Sequence, residues 1–252
     1  MKELAHLAEF QAILQNPEHK YQPSKESQAI VRQTSIALFV GPTNAGRNTI
    51  INKLIPRGKY YFIISDTTRV PRMRNGRVEQ NGIEYWFRKE TAVLKDLAAG
   101  RFVEAAIIHE IQVSGISVRE IAAAEVQSKV AVTDIEIVGV HSVRAIKKDT
   151  MCIFVLPPSF EAWQKRLQKR GDIKGQDLLK RMESATKEYK EALDHPYYWF
   201  VVNNNLDKAV EYAEQIITNQ KADPAKQAAG RHLAEELLQE TTRFLEKQSW
   251  EN

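Results

Sequence analysis

The chain has 252 residues, 43% hydrophobic and 27% charged, with a net charge of +4. That length and balance are ordinary for a soluble globular protein of one sizeable α/β domain with extensions, or of two small domains. Its single cysteine, Cys152, excludes an internal disulfide framework and fits a reducing compartment. No stretch approaches the roughly 20 apolar residues that cross a bilayer, so no membrane span is expected. The opening segment MKELAHLAEFQAILQNPEHK lacks the apolar run of a secretory signal, and the cytoplasm is the expected compartment. The modest positive charge suits a protein that handles nucleotides. There is no zinc spacing, no aromatic RNA-binding pattern and no basic block, so no nucleic-acid partner is expected.

Residues 1–34 are polar and open on a short amphipathic pattern (Leu4, Leu7, Phe10, Leu14), which predicts a partly helical extension. Ser35–Gly41 is a nearly continuous apolar run, expected of a strand buried on both faces of a parallel sheet. A helix is predicted from Thr49, then a strand over Tyr60–Ser65, and helices over Glu90–Ala99 and Val118–Ser128. Strands follow at Lys129–Ile135 and Met151–Pro158, then helices over Ser159–Arg170 and Gly175–Leu193. After Asp223-Pro224, the residues Leu233, Leu237, Leu238, Phe244 and Leu245 keep helical spacing. Residues 221–252 are therefore expected to form one amphipathic helix, docked on the domain or on a partner. Strands alternating with helices imply right-handed crossovers and a parallel sheet, with ligands beyond the carboxyl ends of the strands.

One such end is occupied by Gly41-Pro-Thr43-Asn44-Ala45-Gly46-Arg47-Asn48-Thr49. Its glycines have the spacing of the G-x-x-x-x-G-K-[ST] phosphate loop, after a predicted strand and before a predicted helix. Gly41 and Gly46 let the backbone turn so that successive amides face one anion, and the helix N-terminus adds its unpaired N–H groups. Arg47 stands where the motif has lysine, keeping the charge on a bulkier planar fork. Asn48 stands where a hydroxyl residue usually ligates Mg²⁺; it offers a carbonyl oxygen, and Thr49 follows.

Downstream runs Ser65-Asp-Thr-Thr-Arg69-Val-Pro71-Arg72, then Gly76 and Gly82-Ile-Glu-Tyr85-Trp-Phe87. Two arginines three residues apart, stiffened by a proline, suit a phosphate, and Ser65 and Tyr85 add hydroxyl donors. Together with the loop, these segments resemble the guanylate kinases over about residues 35–220. The resemblance implies a P-loop nucleoside-monophosphate-kinase fold: a parallel-sheet core, a monophosphate-binding region at about 65–117 and a lid at about 160–190. It further implies that Ser65, Arg69, Arg72 and Tyr85 hold the phosphate of GMP.

Phe102-Val-Glu104 and Val132-Thr-Asp134-Ile-Glu136 resemble the family's two acidic motifs, so Glu104 and Glu136 would read guanine. Acceptor-only carboxylates match the N–H donors of that base. Asp134 would serve the phosphate or Mg²⁺ side with Asn48. Where the family has a Tyr-Gly-Thr/Ser turn, this chain reads Gln112-Val-Ser-Gly115-Ile-Ser117, leaving Ser117 as the hydroxyl candidate.

Phe160–Gly171 and Leu178–Tyr189 resemble the lid and the helix after it, assigning Arg166, Arg170 and Arg181 to catalysis with Arg47. Arginines suit a reaction in which charge on phosphoryl oxygens must be neutralised. The same residues also read as a solvated basic face beside Glu183, Glu188 and Glu191. Val201–Ala209 resembles the family's closing segment, with Asn203 near the donor adenine.

The implied activity is transfer of the γ-phosphoryl of Mg·ATP to GMP, giving ADP and GDP. Two other readings stay open: a guanylate-kinase-like binding module that has lost ATP chemistry, and a kinase with another acceptor. The two extensions read as oligomer contacts, partner-binding helices or caps on the domain.

Overall fold

The computed structural model describes residues 4–17, 20–74, 76–169 and 175–250. The chain opens with helices α1 (Leu7–Leu14) and α2 (Lys25–Gln33), strand β1 (Ile36–Val40) and helix α3 (Arg47–Leu54). Five short strands follow: β2 (Tyr60–Phe62), β3 (Asp66–Thr67), β4 (Met73–Arg74), β5 (Arg77–Val78) and β6 (Trp86–Phe87). Next come α4 (Glu90–Ala98), β7 (Phe102–Ile108), β8 (Gln112–Ser117), α5 (Val118–Val126), β9 (Val130–Asp134) and α6 (Ile137–Ile146). The last third holds β10 (Met151–Leu156), α7 (Phe160–Lys169), α8 (Gln176–Asp194), β11 (Tyr198–Val202), α9 (Leu206–Asn219) and α10 (Pro224–Trp250). No helix among the described residues is long and apolar enough to cross a membrane. The chain divides into two units.

The first unit comprises residues 1–36, 59–131 and 141–150. Its sheet has the order β6-β3-β8-β7, antiparallel at β3–β8 and β7–β8 and parallel at β3–β6. The alternation of strands and helices predicts the parallel sheet of the core and carries no signal for this antiparallel one. Two of its strands are two residues long, too short to carry a periodic signal. The amphipathic stripe of α1 belongs to this unit's core: Phe10 and Leu4 pack with Val93, Leu97, Phe102 and Val113. Tyr21 locks the following segment, its hydroxyl donating to the Phe102 carbonyl (3.1 Å) and accepting from the Phe102 amide (3.2 Å). Burial pushes that phenol up to about 12.

A buried polar lattice ties the unit together. Asp66, 1% exposed, takes Arg88 on one carboxylate oxygen (2.7 Å) and Arg119 on the other (2.8 Å). Arg88 also reaches Asp96 at 2.8 Å. Glu120, 2% exposed, accepts from the Trp86 indole (2.9 Å), the Ile64 amide (3.1 Å) and the Tyr61 hydroxyl (3.3 Å). Desolvation raises the Asp66 carboxyl above its ordinary range even with two arginines opposing it.

The second unit comprises residues 37–58, 132–140 and 151–252. Its strands lie in the order β11-β10-β1-β9, and β10 runs parallel to both neighbours. All five residues of β1 are buried, as a strand covered on both faces requires. α3 begins at Arg47, two residues before the predicted start, because Gly46 closes the loop in a left-handed conformation directly beneath it.

The C-terminal helix packs on this unit. Asp223 caps it by accepting from the amides of Ala225 (2.9 Å) and Lys226 (3.1 Å), with Pro224 at the first position. Its seam is Gly230, Ala234, Leu237 and Thr241, at three- and four-residue spacing. Gln227 meets β11 like another strand, accepting from the Phe200 amide (2.8 Å) and donating to the Phe200 carbonyl (3.1 Å). That contact covers an exposed sheet edge. Leu237 is fully buried, so Leu237→Ala is expected to cost about 2–5 kcal/mol in chemical denaturation. The exposed neighbour Glu236→Ala should stay within about 0.5 kcal/mol.

Candidate active site

The loop joining β1 to α3 has the backbone of an anion cradle. Gly41 (φ 129°), Asn44 (φ 65°) and Gly46 (φ 107°) all lie in the left-handed region. A Cβ on Gly41 would stand 2.4 Å from the Val155 carbonyl oxygen, and one on Gly46 would stand 2.1 Å from the Asn203 side-chain amide. Both positions therefore require glycine on space as well as on conformation.

Two carbonyls of the loop, those of Thr43 and Ala45, are met by side-chain donors. Trp163 donates its indole N–H to the Thr43 carbonyl at 2.8 Å. Asn203 donates to the Ala45 carbonyl at 2.8 Å, and Arg166 donates to the same oxygen at 3.3 Å. Arg166 also donates to the Asn203 carbonyl at 2.8 Å, and Asn44 returns a bond to the Arg166 carbonyl at 3.1 Å. The resemblance assigns Arg166 to catalysis and Asn203 to the donor adenine. In the structure both side chains donate to the loop's Ala45 carbonyl, and Arg166 bonds the Asn203 carbonyl as well. Burial lowers the affinity of the Arg166 guanidinium for its proton, in keeping with a buttressing position.

Arg181 reaches within 3.5 Å of the Thr43 hydroxyl. Arg170 lies outside the described residues. Ala45 is buried, whereas Asn48 and Thr49 are exposed on the first turn of α3. Arg47 donates to the Ile135 carbonyl at 3.4 Å, between half-buried Asp134 and exposed Glu136.

Glu188 on α8 completes this cluster, and its motif position did not mark it. Its carboxyl is pushed up by burial and by the Glu136 charge, against the pull of Arg47 and a hydrogen bond from Ser184. Among the described residues no group bonds its second carboxylate oxygen. Glu191 instead accepts from the hydroxyls of Tyr197 (3.0 Å) and Tyr198 (3.2 Å). Of the predicted basic face, Arg166 and Arg181 thus meet backbone and loop, while Glu188 and Glu191 bond hydroxyls.

The monophosphate candidates lie in the first unit. Arg69 is 11% exposed and faces Glu79 with both terminal nitrogens, at 2.5 and 3.0 Å. Its guanidinium also lies over Tyr85 (4.8 Å to the ring centre) and Phe87 (5.4 Å). Glu79 accepts in addition from the Arg72 amide at 2.9 Å, and Arg72 reaches Gln112 at 3.2 Å. Glu79 thereby sets the positions of both arginines, a role no sequence motif had given it.

Ser65 and Glu104 are half-buried; the Ser65 carbonyl accepts from the Trp86 amide at 2.9 Å, and Glu104 pairs in register with Ile116. Ser117, 4% exposed, caps α5 by accepting from the Arg119 amide at 3.2 Å. Its hydroxyl is used for folding, which weighs against a ligand role.

Three comparisons bear on this geometry. The family model described as guanylate kinase matches residues 33–220. A guanylate kinase of Thermotoga maritima is 34% identical over 189 residues, 73% of this chain and 87% of that protein. "Guanylate kinase 1" of Oryza sativa subsp. japonica is 32% identical over 185 residues, covering 71% of this chain and 46% of that protein. The chain thus spans about half the length of the two plant relatives it matches. The crystal structure of guanylate kinase from Anaplasma phagocytophilum superposes with a TM-score of 0.55, over 80% of this chain and 94% of that one. At 20% identity that likeness speaks for the fold.

The Arg69 ion pair and the Arg72 amide hold the Glu79 carboxyl down at about 2, against an ordinary value of 4.5. A depressed carboxylate stabilises the fold above its unfolded value and loses that contribution as pH falls. Glu79→Gln is therefore expected to lower the melting temperature at neutral pH. The gap to wild type should close as the pH is brought from about 4.5 towards 2.

Proposed function

The chain belongs to the guanylate kinase family, and from that premise we propose that it transfers the γ-phosphoryl group of ATP to GMP. An oxygen of the GMP phosphate bonds to the γ-phosphorus while the bond to the bridging oxygen breaks, giving GDP and ADP. The observation that carries the reading is the loop Gly41–Gly46, left-handed at three positions with its carbonyls bonded from behind. Such left-handed turns let successive amides converge on one anion, and the N-terminal N–H groups of α3 add to them.

The loop and Arg47 hold the β- and γ-phosphates of ATP, and Arg181 neutralises charge beside Thr43. Arg166 and Asn203 hold the loop in place. In the first unit Arg72, Arg69 in its ion pair, Ser65 and Tyr85 take the phosphate of GMP, and Glu104 accepts from the guanine N–H groups. Glu136 remains the second acceptor for the base.

Mg²⁺ would be carried in by the nucleotide, where it would offset negative charge on the phosphates. The available donors fit it: the Asn48 amide oxygen, the Thr49 hydroxyl and the Asp134 carboxylate are hard oxygen ligands. Among the described residues no group of three or more His, Cys, Asp or Glu could hold a metal alone. Magnesium in such sites takes one or two protein oxygens with phosphates and water.

An ADP-release assay across GMP, dGMP, AMP, CMP and UMP tests the reading. ADP formation that requires both Mg·ATP and GMP is expected; no ADP above blank with any acceptor would sink the proposal. Arg47→Met, which removes the charge, is expected to lower kcat/KM by about 100-fold or more.

A further inference from the structure

One tie between the phosphate loop and the rest of its unit runs through Trp163, and it ends on a helix outside the family's matched residues. Trp163 is fully buried on α7. Its indole N–H donates to the Thr43 carbonyl at 2.8 Å. Its ring stands edge-on to Tyr189 (centroids 6.3 Å, planes 81° apart) and to Phe160 (6.1 Å, 65°). Phe160 in turn meets Phe244 of α10 at 5.9 Å. The family match ends at residue 220, and α10 begins at Pro224.

Amides that face an anion force the carbonyls of the same short loop outward, into protein, where an unpaired oxygen is costly. Two of those carbonyls, Thr43 and Ala45, are met by side chains of α7. The loop's Asn44 side chain bonds back to the α7 carbonyl of Arg166. Three contacts spread over Trp163 and Arg166 tie this part of α7 to the loop. On the first turn of α7, Phe160 is met by Phe244 of α10.

We propose that Trp163 is a positioning residue for the phosphate loop, and that α10 holds it in place through Phe244 and Phe160. The role in nucleotide binding rests on reading Gly41–Thr49 as the ATP loop; the mechanical role does not. Coupling of this kind needs a contiguous set of packed groups, and the row Phe244–Phe160–Trp163–Thr43 is one.

Hydrogen–deuterium exchange over the segment 41–50 of the full-length, ligand-free protein tests it, alongside calorimetric titration with ADP. Trp163→Phe keeps the ring and removes only the donor. It is expected to speed exchange of the hydrogen-bonded Ala45 and Ile50 amides about fivefold or more and to weaken ADP binding by up to about tenfold. Phe244→Ala, half-buried and remote from the loop, should move both readouts the same way by a smaller factor, and it serves should Trp163→Phe fail to fold. Exchange equal to wild type in a folded Trp163→Phe or Phe244→Ala protein would overturn the proposal. If wild type does not bind ADP while exchange is still accelerated in the variants, the nucleotide reading fails and the brace stands.

Discussion

A loop that gathers its amides around an anion must turn its carbonyls the other way, and those carbonyls need donors. In this protein that constraint organises the second unit. The Ala45 oxygen draws Asn203 from the end of β11 and Arg166 from α7, and the Thr43 oxygen draws Trp163. Elements distant in sequence are thereby fixed against six residues of loop. On the first turn of α3, Asn48 and Thr49 stay exposed and Arg47 is half-buried. Assignment by motif position gives Arg166 and Asn203 to the nucleotide; assignment by hydrogen bonds gives them to the loop itself. The two roles connect, because a phosphate cradle works only while its carbonyls are held back.

The first unit solves a different problem, that of keeping arginines in place without a ligand. An isolated arginine at a half-buried site costs desolvation and side-chain entropy. Glu79 offsets both by gripping the Arg69 fork and the Arg72 amide, and the rings of Tyr85 and Phe87 lie against the guanidinium. A similar economy governs Asp66, which sits in the interior only because Arg88 and Arg119 meet its two oxygens. Removing one member of such a set leaves a buried charge unmatched, which is why these groups stabilise as sets and not as pairs.

Legibility in the sequence followed the strength of each local signal. The buried strand before Gly41, the glycine spacing, and most helices over 90–193 were readable from continuous apolar runs or helical period. The two-residue strands were not, since a period needs several repeats. Of the candidate site, the motifs located the arginines and acids. They could not reveal that Arg69 is paired with an acid ten residues on, or that Ser117 is consumed by capping α5, because those facts depend on which segments meet in space. The alternatives for the extensions were likewise open until Phe10 appeared in the core of one unit and Leu237 in that of the other. Trp163 was legible only as one apolar position of a helix; its indole donor acquires meaning from the carbonyl opposite it.

Phosphoryl transfer between nucleotides is the chemistry proposed for a cradle held in this way. Phosphorus NMR of the full chain with Mg·ATP and GMP tests it most directly, since it follows each phosphorus to its destination. The γ-phosphorus of ATP is expected to reappear as the β-phosphorus of GDP, with ADP formed in equal amount. Accumulation of inorganic phosphate without GDP, or an unchanged ATP spectrum, would contradict it.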